Sequence, residues 1–518
     1  MAMLVACAPP QPNPAAEDSE SEPAQPAMAE PSPPVAIHAA PGTGSAPSVA
    51  PSPDGDLSGI AARLLGRRAF GYYLRGQKIG YELRDVAMVE TEQGPFLRRT
   101  REFRTRTRKR GLDAESTSIS HEWYWLKDGG ALARFESERT SDGEKSTVRA
   151  AWRDGRFEVT RTIAGEVETR VIESPRASFG ELKRAAEFPS PETEVGAVLE
   201  FWVLDQGSTS FSRCIQYRLL SRSAHAGNPS EQPFYEIESV SRGVVSRFVR
   251  DGDGTDRGNN DGPFEVRTES EEIAVQFPVA PPDLIEFSIV RIATDMGSEA
   301  SALRETSLLI GGVAGFAFPS APGQSVERLS DDLVRVRIQR KPTAAAAEPL
   351  DEASRARFVA GEVGIESESE TIRTRAKRIV GGARDFATQV AKLQRWVHGH
   401  LADSRDLQST SALVILRRGG GDCSEHARLF VALARAIGLP AREVSGLLYC
   451  NDDGPAFAWH AWAEVHDGTR WVGVDPAWNQ VGLDAGHVII ARDAEDDSWN
   501  RLIGRIRIEV ERFGKSGR

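Results

Sequence analysis

Gly419-Gly-Gly-Asp-Cys-Ser-Glu-His426 constrains this chain more than any other stretch. A glycine run ending in aspartate is a loop that closes on a helix N-cap. Beyond it, apolar side chains return at Ala427, Phe430, Leu433, Ala434 and Ile437, the spacing of one buried helical face. Gly438 and Pro440 then supply the stop. Cys423 is therefore predicted in the first turn of a helix, where unpaired N–H groups and the helix dipole favour a thiolate. Its own backbone N–H is placed to donate to an oxyanion. A buried structural cysteine is the plain alternative, and the polar, glycine-rich setting argues against it.

A cysteine nucleophile needs a base, and the base needs a carboxylate to orient it. Phe457–Val465 and Arg470–Asp475 both alternate apolar and polar residues, as half-buried strands do. Between them stands Asp467-Gly468, the dipeptide of two-residue type I′ turns. A two-residue loop there sets His460 directly opposite Asp475, side chains on one face and within hydrogen-bonding reach. A lone histidine in a strand is more often a core or surface residue. One that registers on an aspartate, downstream of a helix-heading cysteine, points to a Cys423–His460–Asp475 triad.

Gly-Asp-Cys-x-Glu-His-Ala, then Leu-Ala-Arg-Ala-x-Gly-Leu-Pro-Ala-Arg at 433–442, then His-Ala-Trp-x-Glu-Val and Val-Asp-Pro-Ala-Trp resemble the bacterial transglutaminase-like superfamily, over about residues 356–495. The resemblance implies a papain-like α+β core with Cys423 on the central helix and His460 and Asp475 on adjacent strands. The family it points to includes cross-linking enzymes, amide hydrolases, peptidases and members that have lost the triad; this sequence keeps all three residues. The expected chemistry is attack on an amide carbonyl and a thioester, resolved by water or by an amine. Gln408 and Trp396 are the candidates for a second oxyanion donor. The competing function is a non-catalytic envelope scaffold that uses the same fold and the β-rich half of the chain.

The 518 residues are too many for one core and suggest several domains. Net charge is −11 and spread along the chain, which excludes the basic stripe of a nucleic-acid binder. The one basic run, Arg104–Arg110, reads as a solvated strand face. Leu4-Val-Ala-Cys7 resembles a bacterial lipobox with Cys7 as the lipidation site, although the basic and most of the apolar part of a signal peptide are missing, as a start placed too far downstream would explain. Residues 8–57, rich in Pro, Ala, Ser and Glu, read as a disordered tether. Together these place the protein at the cell envelope, lipid-anchored to a membrane on the outer-membrane or periplasmic side, with protein or peptide substrates as partners.

The expected organisation is multidomain α+β. After the lipobox segment (1–7) and linker (8–57) comes an antiparallel β-rich domain over 58–270, with turns at Arg75-Gly76, Asp128-Gly-Gly130, Asp142-Gly143, Asp154-Gly155 and Ala164-Gly165. Its opening stretch, Leu74–Gly80, resembles the hairpin that precedes many bacterial transglutaminase-like domains. A small β module (271–345) with strands at Leu284–Ile292 and Leu333–Gln339 follows, then the catalytic domain (346–495) and a closing strand within 496–518. Asp251–Gly262 is acidic enough to invite calcium, but Asp256 and Gly262 stand where an EF-hand needs glycine and glutamate, and a polar loop explains it equally well. No Cys-x-x-Cys pair exists and the histidines do not cluster at ligand spacing, so neither metal nor cofactor is expected. A Cys214–Cys450 disulfide stays open, because spacing does not decide it.

Overall fold

The computed structural model describes residues 64–515 except 92–93, 110–111, 127–129, 142, 154–155, 206–210, 224–232, 242–243, 253–255, 260–263, 284–286, 298–302, 341–346, 404–410 and 493–497. The proposed lipobox with Cys7, the linker 8–57 and Gln408 lie outside the described residues. No described helix is long and apolar enough to cross a membrane.

The β-rich region forms a 14-stranded antiparallel sheet. Its first strand, Gly66–Leu74, sits in the middle, paired on one side with Gln77–Thr91 and on the other with the last strand, Phe264–Glu269. Two meanders run outward from that seam. Arg75-Gly76 and Ala164-Gly165 form turns where the sequence placed them, each with the paired positive φ angles of a type I′ turn. A helix at Phe179–Glu187, capped by Ser178 and burying Phe179 and Ala185, interrupts the expected run of strands. Charge is buried within the sheet as well: fully enclosed Glu82 accepts hydrogen bonds from Arg84, Arg101 and Tyr72. At Asp251–Gly262, Asp256 is bound to Arg250 by two hydrogen bonds, so that carboxylate already serves a structural ion pair.

The Leu74–Gly80 hairpin carries the sheet into the rest of the molecule. Leu74 and Ile79 enter the same apolar cluster as Leu308, Val334, Val488 and Ile506. Arg75 donates to the Gly504 carbonyl and lies over the Phe287 ring. A second contact joins the far hairpin to the helices, where Ser369 Oγ donates to Glu166 at 2.8 Å and Arg417 Nη1 donates to the Ala164 carbonyl at 2.8 Å.

The small β module is assembled differently from its sequence reading. Ile289–Arg291 pairs with residues 456–458 and so belongs to the sheet of the C-terminal α+β domain. Leu333–Gln339 joins Leu303–Gly311, Gln324–Ser330 and the C-terminal strand Arg507–Lys515 in a four-stranded sheet. Alternation marks a segment as a strand; it does not say which neighbour the strand pairs with.

The C-terminal α+β domain sets helices against a six-stranded sheet. Along that sheet run Gln480–Val481, Trp471–Asp475, Ala456–His466, Ala441–Cys450 and His487–Ala491. Two helices, Glu370–Val380 and Phe386–His400, are each capped by a side chain, from Ser369 and Asp385. With Ala412–Arg418 they surround Cys423–Ala436, which is buried along most of its length and packs on Ala441–Cys450 and Ala456–His466.

Candidate active site

The helix Cys423–Ala436 begins where its sequence says it should. Asp422 Oδ1 accepts the Ser424 N–H at 2.8 Å, while Glu425 Oε2 reaches back to the Asp422 N–H at 2.9 Å, a complete capping box. Gly421 has to be glycine, because a Cβ there would fall 2.3 Å from the Cβ of Glu425. Cys423 thus heads the helix as a buried, reduced thiol, sharing a core cluster with Trp459 and Ala461, the two neighbours of His460.

His460 and Asp475 meet, though not by the register expected. The pairing runs His466 to Trp471, Val465 to Val472 and on to Ala463 with Val474, so the loop holds four residues, Asp467–Arg470. Asp467 closes it with its side chain, Oδ1 accepting the N–H groups of Thr469 at 2.7 Å and Arg470 at 2.8 Å. Asp475 therefore stands diagonal to His460 rather than opposite. The slip is even, and in a strand an even slip leaves every side chain on its original face. His460 Nε2 lies 2.7 Å from Asp475 Oδ2, both side chains fully buried. An ionised carboxylate only accepts, so Nε2–H is the donor and the other nitrogen, Nδ1, is turned elsewhere. That Nδ1 is buried and has no hydrogen-bond partner, so no bond yet joins the ring to Cys423. The structure brings His460 and Asp475 together and leaves the open ring nitrogen for a further partner.

Residues 373–476, which contain all three of these side chains, match the model of the transglutaminase-like superfamily. Residues 373–476 are a transglutaminase-like domain. Two solved structures are similar to the chain. One is a candidate cysteine protease from Cytophaga hutchinsonii, 18% identical with a TM-score of 0.26, covering 41% of this chain and 86% of that one. The other is a candidate protease from Parabacteroides distasonis, 12% identical with a TM-score of 0.17, covering 66% of this chain and 69% of that one. No curated protein matches the chain.

The transglutaminase-like domain is followed at once by two residues that the sequence reading missed. His487 Nε2 lies 3.1 Å from the same Asp475 Oδ2, and its Nδ1 lies 3.1 Å from Asp484 Oδ1. Nothing local in Gly486-His-Val-Ile-Ile-Ala491 marks the histidine, since its partners come from another strand and a loop; Asp484 three residues earlier was the one available signal. By spacing, atoms of His460, Asp475 and His487 lie within 4.8 Å of one another, close enough to surround a cation. Those atoms are already bonded to each other, with Oδ2 of Asp475 accepting from both rings, which accounts for the cluster as a proton network.

The remaining expectations resolve simply. Trp396 stacks on His400 at 4.3 Å and packs with the helical core rather than with the cluster that holds Cys423. Cys214 is a free thiol, so no Cys214–Cys450 bridge is formed. Gln394, buried on the helix Phe386–His400, donates to Asn479 Oδ1 at 2.8 Å and ties that helix to the turn after Asp475.

Burial opposes charge on His487, but the negative charge of Asp484 and the hydrogen bonds to Asp475 and Asp484 more than offset it, pushing the imidazolium pKa up to about 10. Burial likewise opposes charge on Asp475 and Asp484, and the adjacent rings, His460 first for Asp475 and His487 for Asp484, hold both carboxyls below their ordinary range. A folded-state pKa raised above the unfolded one stabilises below the unfolded value and is lost as pH rises through the folded value. Conformational stability measured by denaturant titration is therefore expected to decline from the ordinary histidine value of 6.5 towards about 10. His487→Gln should remove that component of the slope; an identical alkaline slope in the variant would contradict it. The two carboxylates act in the opposite direction, their contribution present at neutral pH and lost on acidification.

Proposed function

We propose that the transglutaminase-like domain is a cysteine enzyme acting on amide bonds of protein or peptide substrates. The observation that carries this reading is the fully buried His460–Asp475 pair with an unpartnered Nδ1, in a domain whose central helix begins at Cys423. In the reaction, the thiol gives its proton to His460 Nδ1 as Sγ bonds to the substrate carbonyl carbon. Asp475 keeps the ring's other N–H fixed and stabilises the imidazolium that forms. The Cys423 backbone N–H faces the oxyanion. His460 then returns the proton to the leaving nitrogen, the C–N bond breaks and a thioester remains. Water or an amine attacks next, loses its proton to Nδ1, and expels the thiolate. The same reading places the enzyme at the cell envelope, held by lipid on Cys7, with envelope proteins or peptides as substrates; the support for this is the Leu4-Val-Ala-Cys7 pattern and the composition of residues 8–57.

The test is intact-protein and peptide mass analysis after brief exposure to iodoacetamide at neutral pH. Cys423 is expected to carry the first label despite its burial, ahead of the half-buried Cys214. His460→Ala should slow that label by about tenfold or more. Labelling at Cys214 before Cys423 would sink the reading.

A further inference from the structure

Asp475 is shared between two histidines. Its Oδ2 accepts from His460 Nε2 at 2.7 Å and from His487 Nε2 at 3.1 Å, while Oδ1 accepts the Trp478 backbone N–H at 3.1 Å. The chain of bonds continues outward. His487 Nδ1 lies 3.1 Å from Asp484 Oδ1, which also takes the Gly486 N–H at 2.8 Å, and Asp484 Oδ2 accepts Gln480 Nε2 at 2.9 Å. A ring with a carboxylate oxygen at each nitrogen has to donate twice, which makes His487 an imidazolium. Trp462 packs against both rings, stacked on His460 at 5.9 Å and edge-on to His487 at 5.3 Å, and the two imidazoles themselves lie 6.0 Å apart.

We infer that His487 and Asp484 are positioning residues for the cysteine chemistry: a buried imidazolium–carboxylate pair that locks Asp475 in place so that His460 presents Nδ1 towards the thiol. The inference rests on the functional reading above. The charges favour it over a filling role. Burying ions costs more than burying apolar side chains of similar volume, so a cluster with no further task would be cheaper without them. With Asp475 and Asp484 ionised and His487 protonated, the cluster carries one net negative charge. A proton taken by His460 from the thiol cancels that charge. Without His487, two buried carboxylates would face each other across the site; without Asp484, the His487 cation would compete with His460 for Asp475. The raised pKa of His487 agrees with a ring that keeps both protons at neutral pH.

Two measurements on the full chain test this. In protein carrying 15N-labelled histidine at about pH 8, the wild type is expected to show a ring with both nitrogens protonated that is missing from His487→Gln and from Asp484→Asn. Iodoacetamide alkylation of Cys423, located by peptide mass, is expected to slow about tenfold or more in both variants while thermal unfolding stays cooperative. A singly protonated His487 in the wild type overturns the inference. So does a folded His487→Gln protein whose Cys423 alkylates at the wild-type rate. If His487→Gln fails to fold, the wild-type spectrum and Asp484→Asn, which keeps the ring and replaces only the charge, decide the matter. A wild type in which Cys423 does not alkylate ahead of Cys214 defeats the functional reading instead, a result distinct from reactive wild type with unaffected variants.

Discussion

Cys423→Ala is expected to remove amide turnover altogether, and His460→Ala to lower it by about a thousandfold or more. The two effects should not add. Without the thiol no acyl bond forms, and without the ring the thiol keeps its proton and the leaving nitrogen receives none, so the double variant should be no worse than Cys423→Ala alone. The assay is release of amine or ammonia from glutamine-containing and other peptide amides, with and without an added primary amine. Product masses separate hydrolysis from transfer, since an isopeptide product requires the amine to have resolved the thioester. Retention of turnover by Cys423→Ala would show that the chemistry lies elsewhere in the chain.

The second large effect concerns the sheet rather than the reacting atoms. Gly446 pairs with His460 on one side and with Ile489 on the other. A Cβ at this position would lie 2.1 Å from the Val488 carbonyl oxygen and 2.5 Å from the Trp462 ring. The first is backbone of the neighbouring strand and cannot rotate away. The second is the ring that packs against both His460 and His487. Gly446→Ala is therefore expected to cost about 3 kcal/mol of stability or more, as overpacking against backbone does. It should also slow Cys423 alkylation, because the two strands holding His460 and His487 are forced apart. Gly382→Ala is the matched control, since its Cβ meets nothing within 4 Å and stability should change little. Equal unfolding midpoints for the two variants would contradict this account.

Much of the site was legible because it is built from local rules. Asp422 before Cys423, with Glu425 three residues beyond the cap, is a capping box that sequence alone can display. The Asp467-Gly468 turn was legible as a turn, but not as to its length, because the Asp467 side chain binds two backbone N–H groups and so holds a longer loop. The face of Asp475 survived that error, since parity and not exact register decides which side a strand residue takes. His487 was illegible for a different reason. It sits in an apolar strand, and its meaning comes from Asp475, which reaches it across space through pairing that no local periodicity encodes. The same holds for Ile289–Arg291, whose alternation gave a strand and whose partner was the strand that carries His460.

The hairpin at Leu74–Gly80 has a consequence for how this chain reaches its native state. Leu74 and Ile79 pack in one cluster with Val488 and Ile506, residues more than four hundred positions away, and the last strand closes the sheet that flanks them. Contacts so distant along the chain have a large loop-closure entropy to overcome, which slows folding. On the ribosome the N-terminal strands emerge first and have to wait for the last part of the chain before Leu74 and Ile79 are covered. The C-terminal core in turn stays open at that position until the hairpin docks. Cys423 thus lies in a half of the protein that completes its core only when the first and last strands of the folded body have met, so a chain cut short at either end would have no finished candidate site to expose.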